Sequence, residues 1–240
     1  MEKEAEERSK FLIFNETVVE LLHRYSFTFD YIQGKDVLDV ASGEGYGTFQ
    51  MSKHAKSCVG VDIDDLAIKN ANANFSEKNL KFVKSSALNL PFEDSVFDVV
   101  VSFETIEHFI EHELFLKEIK RVLKPKGILI ISTPDRTEYG IRRPEINPYH
   151  LKELTKIEFA TLINQYFSLS QFYNQDFSYQ SVIYPENNSV NRFDNIIFEN
   201  NLLKNNSISK SHLFNIIIAT DYILPNYHNV SIFNGNVLAP

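Results

Sequence analysis

The chain has 240 residues, 43% of them hydrophobic and 23% charged, which is enough apolar material for a real core and too little charge for wholesale disorder. A net charge of −8, with no long Lys/Arg run, argues against a nucleic-acid partner held through its phosphates. The single cysteine, Cys58, excludes an internal disulfide framework and a cysteine zinc site, and suits a reducing cytoplasm.

The first ten residues, MEKEAEERSK, are acidic where a signal peptide is basic and then apolar, and read as a solvated helix start or tail. The apolar runs are too short to span a bilayer, so no integral membrane segment is expected. Residues 11–25 set Phe11, Phe14, Val18, Leu21, Leu22 and Tyr25 at helical spacing. The dense apolar run 36–41 suits a strand buried on both faces of a parallel sheet. A glycine-rich turn follows, then helix-compatible sequence over 48–55 and a strand over 57–63 that ends in acid. The pattern continues with a helix over 64–75, strands over 80–87 and 96–104, a helix over 113–127 stopped by Pro125–Gly127, and a strand over 128–134. Such alternation predicts a doubly wound α/β sheet with right-handed crossovers.

After Pro134 the texture changes. Residues 135–150 read as a polar loop, 152–166 as an amphipathic helix, 167–177 as a strand and 212–221 as a strong last strand. The asparagine-rich stretch 178–211, with a short helix expected over 192–203, reads as a surface insertion or a lid, the insertion being favoured.

The chemistry concentrates at the first turn, Asp39-Val-Ala-Ser-Gly43-Glu-Gly45-Tyr-Gly47. Glycines there let backbone approach a ligand and turn sharply into a helix whose first amides face it. Asp62, at the end of the next strand, is placed to accept hydrogen bonds from ribose hydroxyls, so an adenosine-containing ligand is expected. The Gly-x-Gly-x-Gly spacing and the carboxylate of Asp39 speak against a nicotinamide dinucleotide, because Asp39 would repel a pyrophosphate while it can reach an ammonium group.

Over residues 24–134 the sequence resembles the class I S-adenosylmethionine-dependent methyltransferases, of the type 11-like kind. The resemblance rests on VLDVASGEGYG (37–47), GVDID (60–64), LPFEDSVFDVVVSFETIEHF (90–109) and EIKRVLKPKGILIISTP (118–134), in this order. It implies a Rossmann-like, seven-stranded sheet with its last strand antiparallel, here carrying a helical N-terminal extension and an insertion before that strand. It implies one methyltransferase domain divided into a helical cap (1–34), a core that binds the methyl donor (35–134), an acceptor side (135–211) and a last strand and tail (212–240). The cofactor it implies is S-adenosyl-L-methionine, released as S-adenosyl-L-homocysteine. Asp39, Gly43 and Gly45 would hold its methionine end, Asp62 its ribose and Ile63 its adenine, with Ala41 also among the cofactor-binding residues. Ser86 and Ala87 would lie at the adenine edge, where the family often has an acid in place of Ser86, and Glu104 would lie near the methyl group.

Residues 23–47 and NPYHLKEL (147–154) are also similar to a bacterial subset found with surface-polysaccharide and sugar biosynthesis. In that subset the Arg24–Tyr25 region folds over the methyl donor; a core Tyr25 and a surface Arg24 are the alternative. His108, His150 and Glu107 are the catalytic candidates, because a hydroxyl acceptor benefits from a base. The bland alternatives are that His108 and Glu107 merely begin a helix. His112 reads as solvent-exposed, and Arg142 and Arg143 as a solvated pair or a phosphate contact. No His/Asp/Glu cluster stands at a metal-ligand spacing along the chain, so no metal is expected. The leading expectation is O-methylation of a saccharide or sugar intermediate in the cytoplasm. Methylation of another small metabolite, or a non-catalytic binding module, are the alternatives. The oligomeric state is left open.

Overall fold

A computed structural model describes residues 16–142, 147–177, 181–185, 194–199, 202–207, 214–225 and 231–233. The first element is helix α1 (Glu16–Phe27), followed by the short α2 (Phe29–Ile32) and strand β1 (Asp36–Val40). Then come α3 (Tyr46–Ser52), β2 (Ser57–Asp62), α4 (Asp65–Asn74), β3 (Leu80–Lys84) and β4 (Phe97–Phe103). A 3₁₀ turn (Ile106–His108) leads to α5 (His112–Val122), β5 (Leu123–Pro134), α6 (Arg136–Arg142) and α7 (Lys156–Asn164). The remaining strands are β6 (Leu169–Phe177), β7 (Ser181–Pro185), β8 (Asp194–Glu199), β9 (Leu202–Ser207), β10 (Phe214–Thr220) and β11 (Ser231–Phe233).

Nine of these strands form one sheet among the described residues, in the order β11-β7-β6-β10-β5-β4-β1-β2-β3. The five predicted core strands run parallel, with Leu38 beside Val59 on one side and Val100 on the other. The expected antiparallel last strand is β10, inserted between β5 and β6 and antiparallel to both. The seven expected strands are therefore present. β7 and β11 extend the sheet beyond β6, and β8 pairs only with β9.

Alternation along the strands sends side chains to two cores. Leu38, Val40, Val100, Leu129 and Ile131 pack with Phe115, Leu116 and Ile119 of α5 and Phe159 and Ile163 of α7. Val37, Val99, Val101, Ile130 and Ile218 pack on the other face with Tyr25, Met51, Ile68 and Ala71. Burial on both faces is why these strands read as unbroken apolar runs. The direction of strand order reverses between β1 and β4, and a crevice opens at the carboxyl ends of such strands.

Several boundaries differ from expectation. The helix before β5 ends at Val122 instead of reaching Gly127, because Leu123 pairs with Phe97 and the chain is already extended. The helix expected over 152–166 is Lys156–Asn164, started by a capping box in which the Thr155 hydroxyl and the Glu158 carboxylate satisfy each other's backbone amides. The loop 135–150 holds α6. The helix expected over 192–203 is instead the antiparallel pair β8–β9, which places a β-branched and aromatic run, Ile196–Phe198, in a strand. The first fifteen residues, with the expected starts of the chain and of the first helix, lie outside the described residues, as do much of 178–211 and residues 212 and 213. No described helix is long and apolar enough to cross a membrane.

Candidate functional site

The turn after β1 is built from backbone that visits the left-handed region three times, at Ala41 (φ 63°), Gly43 (φ 54°) and Gly45 (φ 83°). Gly45 could hold no other residue cheaply. Besides its φ, a Cβ there would stand 2.5 Å from two Phe82 ring carbons. A Cβ on Gly47 would enter the Tyr25 ring, so the start of α3 and the end of α1 touch through a glycine. A Cβ on Gly43, by contrast, would meet nothing within 4 Å. The turn is thus closed against the core at Gly45 and Gly47 and open at Gly43.

Asp62 is held in place by this turn. Its Oδ2 accepts from the Gly43 amide at 2.8 Å and its Oδ1 from the Asp64 amide at 2.9 Å. The two amides fix the carboxylate beside the turn. The next side chain, Ile63, is 70% exposed, an apolar surface beside that carboxylate.

Asp39 is fully buried. The Thr48 hydroxyl donates to its Oδ2 at 2.7 Å and the Tyr25 hydroxyl at 3.3 Å. Burial pushes its pKa up to about 7, the two hydroxyls opposing that rise and the Asp62 charge adding to it. Tyr25 is buried, packs edge-on against Phe103, and has its own pKa raised, by burial first and the Asp39 charge next.

Arg24 is not on the surface: it is 1% exposed, with its guanidinium 4.3 Å above the Phe214 ring. Its Nη1 donates to Glu104 Oε1 at 3.2 Å, and the same oxygen accepts from Ser132 at 2.7 Å. Glu104 takes a positive φ of 51° just past β4. The ion pair therefore ties α1 to the carboxyl ends of β4 and β5. Ser86 is engaged locally, its hydroxyl accepting from the Leu88 amide at 3.2 Å, and Ala87 packs against the core.

The three catalytic candidates converge. Glu107 is 1% exposed, with Thr133 donating to its Oε2 at 3.1 Å and its Oε1 without a partner. Burial, and then the Glu104 charge, hold its pKa well above the ordinary carboxylate value. The Leu151 and Lys152 amides donate to the Glu107 carbonyl at 2.8 and 3.1 Å, which lays the 147–152 segment onto the 3₁₀ turn. His108 Nδ1 lies 3.1 Å from the Tyr149 carbonyl oxygen, and the His108 and His150 rings meet edge-on at 5.1 Å. His150 Nδ1 is 2.5 Å from Glu153 Oε1.

One ligand atom from each of Glu107, His108 and His150 lies within 4.8 Å of the others, a grouping that can hold a metal ion. The expectation that no such cluster exists is corrected here, since it weighed only spacing along the chain, and His150 arrives from a distant loop. His112 is also corrected. It is 3% exposed, against Phe109, and burial lowers its pKa. The side chain of Arg142 and all of Arg143 lie outside the described residues. Sequence reasoning missed Thr48, Ser132, Thr133 and Glu153, which orient the acids and His150. Only Thr48 carried a signal, as the hydroxyl residue directly following the glycine turn.

The Gly43 opening, the clipped Asp62 and the exposed Ile63 fit an adenosine-bearing ligand of the expected kind. A methyltransferase-domain family profile matches residues 38–131. A protein of Mycolicibacterium smegmatis named "Probable S-adenosylmethionine-dependent methyltransferase" is 34% identical over 131 residues, 54% of this chain and 50% of that protein. The phthiotriol/phenolphthiotriol dimycocerosates methyltransferase of Mycobacterium tuberculosis is 36% identical over 115 residues, 47% of this chain and 42% of that one. The chain thus spans about half the length of the curated relatives it matches. Among solved structures, an S-adenosylmethionine-dependent methyltransferase of Thermotoga maritima superposes with a TM-score of 0.60 at 20% identity, covering 85% of this chain and 91% of that one. A protein of Pyrococcus horikoshii gives a TM-score of 0.60 at 21% identity, covering 87% of this chain and 92% of that one. At that identity the structural likeness speaks for the fold alone.

Proposed function

We propose that this chain, whose residues 38–131 match a methyltransferase-domain family profile, is a class I S-adenosylmethionine-dependent methyltransferase, and that it methylates a hydroxyl oxygen of a saccharide or sugar intermediate of bacterial surface-glycan synthesis, in the cytoplasm. The observation that carries the reading is the juxtaposition at the end of β4. Glu104, expected near the methyl group, is followed three residues on by Glu107 and His108, and the 147–152 loop brings His150 to the same place.

Bound S-adenosylmethionine supplies an activated sulfonium methyl group. Asp62 and Ile63 bind the nucleoside end, Gly43 gives the backbone room to approach, and Asp39 attracts the ammonium. Arg24 and Tyr25 hold Glu104 and Asp39 in position. In the transfer, an acceptor oxygen lone pair forms the O–CH₃ bond as the C–S bond breaks, and its electron pair returns to sulfur. The hydroxyl proton leaves to the Glu107–His108–His150 group. In-line positioning is worth up to roughly 7–11 kcal/mol of the barrier, and base assistance about 10²–10⁴ in rate. The similarity of 23–47 and 147–154 to sugar-associated proteins supports the saccharide.

A second reading is an apolar metabolite or lipid acceptor. It is favoured by Ile110 and Leu151, 60% and 62% exposed and each within two residues of a cluster histidine. It is also favoured by the name of the dimycocerosate relative. The test is S-adenosylhomocysteine formation, followed by mass spectrometry, with separate pools of nucleotide sugars, oligosaccharides and apolar hydroxyl metabolites. Turnover with a sugar pool alone, lost in Asp62→Ala, is the expected result. Turnover with the apolar pool replaces the saccharide, and binding of S-adenosylmethionine without turnover in any pool favours a binding module.

A further inference from the structure

We propose that Glu107, His108 and His150 form the binding site of one first-row divalent transition-metal ion, whose open positions take and acidify the acceptor's hydroxyl oxygen, so that with the ion bound its proton leaves to solvent and the three side chains act as ligands in place of the base role given them above. The second clause rests on the methyl-transfer reading; the first stands on the side chains alone.

Three independent features point to a cation. The offered atoms of the three residues lie within 4.8 Å of one another. Bonds of about 2.0–2.2 Å to N and O ligands need atoms roughly 3–4 Å apart, a contraction that side-chain rotation supplies. Next, Glu107 Oε1 is buried without a partner among the described residues, an unfavourable arrangement for a carboxylate unless something fills it. No Lys or Arg forms an ion pair with Glu107 among the described residues, and the nearby Arg24 is paired to Glu104.

The third feature is the setting of the two rings. His108 presents Nδ1 to a backbone carbonyl at 3.1 Å, and His150 presents Nδ1 to the Glu153 carboxylate at 2.5 Å. Metal-bound histidines are oriented in this way, with a ring nitrogen anchored to a carbonyl or carboxylate. Thr133 anchors the remaining oxygen of Glu107 in the same manner.

The ligand set chooses the ion. Mg²⁺ and Ca²⁺ prefer oxygen donors, whereas two imidazoles and one carboxylate suit Zn²⁺, Co²⁺, Mn²⁺ or Fe²⁺. Three protein ligands leave coordination positions open, as at metal sites that engage a substrate and unlike the closed four-ligand structural sites. An ion there would also offset the charge of the buried Glu107 carboxylate.

The test is titration of chelator-stripped protein with Co²⁺, read by its visible d–d absorption and by calorimetry, without S-adenosylmethionine. One saturating equivalent, displaced by Zn²⁺, is expected. His108→Ala, His150→Ala and the near-isosteric Glu107→Gln should each weaken binding by roughly 10-fold or more, while His54→Ala, at a histidine stacked on Phe29 away from the site, should not. Absence of saturable Co²⁺ binding, or binding that survives both histidine substitutions, overturns the site. Binding of S-adenosylmethionine to the stripped protein is measured alongside. If it fails while Co²⁺ binds, the methyl-transfer reading falls and the metal site stands. If chelation leaves turnover unchanged, the acceptor role of the ion falls.

Discussion

Asp39 sets a pH dependence that can be isolated. Its folded pKa is about 7 against 3.8 in a free side chain, so the folded state holds a proton that the unfolded state has released. Stability from this group is fully present below pH ~4 and is lost as pH rises through about 7, by on the order of a few kcal/mol. His23 acts in the opposite sense. Burial lowers its pKa to about 3, so its contribution is present above pH ~6.5 and is lost as pH falls toward 3. Urea denaturation of wild type and Asp39→Asn from pH 5 to 8 separates the two. The wild type should lose stability relative to the variant across that range, and a constant difference would contradict the assignment. Occupation of the site by a ligand ammonium favours ionised Asp39. S-adenosylmethionine should therefore bind more tightly as pH rises through 7 and release protons near that pH. Calorimetry in buffers of different ionisation enthalpy reads that release directly. Gly45→Ala should cost roughly 2 kcal/mol or more, combining left-handed strain with the Phe82 clash, and should abolish binding before it abolishes folding.

At the scale of elements, one carboxylate organises the chain that follows β5. Asp135, just past β5 and 4% exposed, accepts from the Thr137 and Glu138 amides at the start of α6, at 2.9 and 3.1 Å. It also accepts from the Lys156 amide at the start of α7 at 2.9 Å, and from Asn215 Nδ2 of β10 at 3.1 Å. Asp135→Ala strands these donors and should destabilise the fold by roughly 3 kcal/mol or more. Thr155→Ala, which removes only the cap of α7, should cost about 1 kcal/mol. Thermal melts of the two variants give the comparison, and equal effects would refute the role of Asp135. These elements also show what a sequence discloses. β1, β2, β4 and β5 are legible because burial on both faces writes itself as consecutive apolar residues, and Gly43–Gly47 because the turn tolerates little else. α6 and the Asp135 junction are illegible, because their partners sit twenty to eighty residues away and no local period marks them. The β8–β9 pair reads as a helix in the sequence because a short apolar run has no period of its own.

Across the whole molecule, the sheet divides the labour. Most residues expected to hold the methyl donor come from the parallel half, at or just past the ends of β1, β2, β3 and β4, and are readable because each lies within a few residues of a strand end, whereas Arg24 and Tyr25 come from α1. The Glu107–His108–His150 cluster joins the end of β4 to a loop forty residues on, and that meeting is a product of the tertiary fold. The division predicts separable defects. Asp62→Asn removes half of the clipped acceptor and should raise KM for S-adenosylmethionine by about 10-fold, the worth of roughly 1.4 kcal/mol, with little change in kcat. Glu107→Gln keeps the shape of the buried side chain, so its Kd for S-adenosylmethionine should be unchanged. Its kcat should fall by about 10² or more, because the carboxylate proposed to serve the acceptor, as base or as ion ligand, is lost. The double variant should show the two losses multiplied if the halves act independently. A double variant whose kcat/KM falls no further than that of Glu107→Gln alone would mean that Asp62 and Glu107 act as one coupled unit across the β1–β4 crevice.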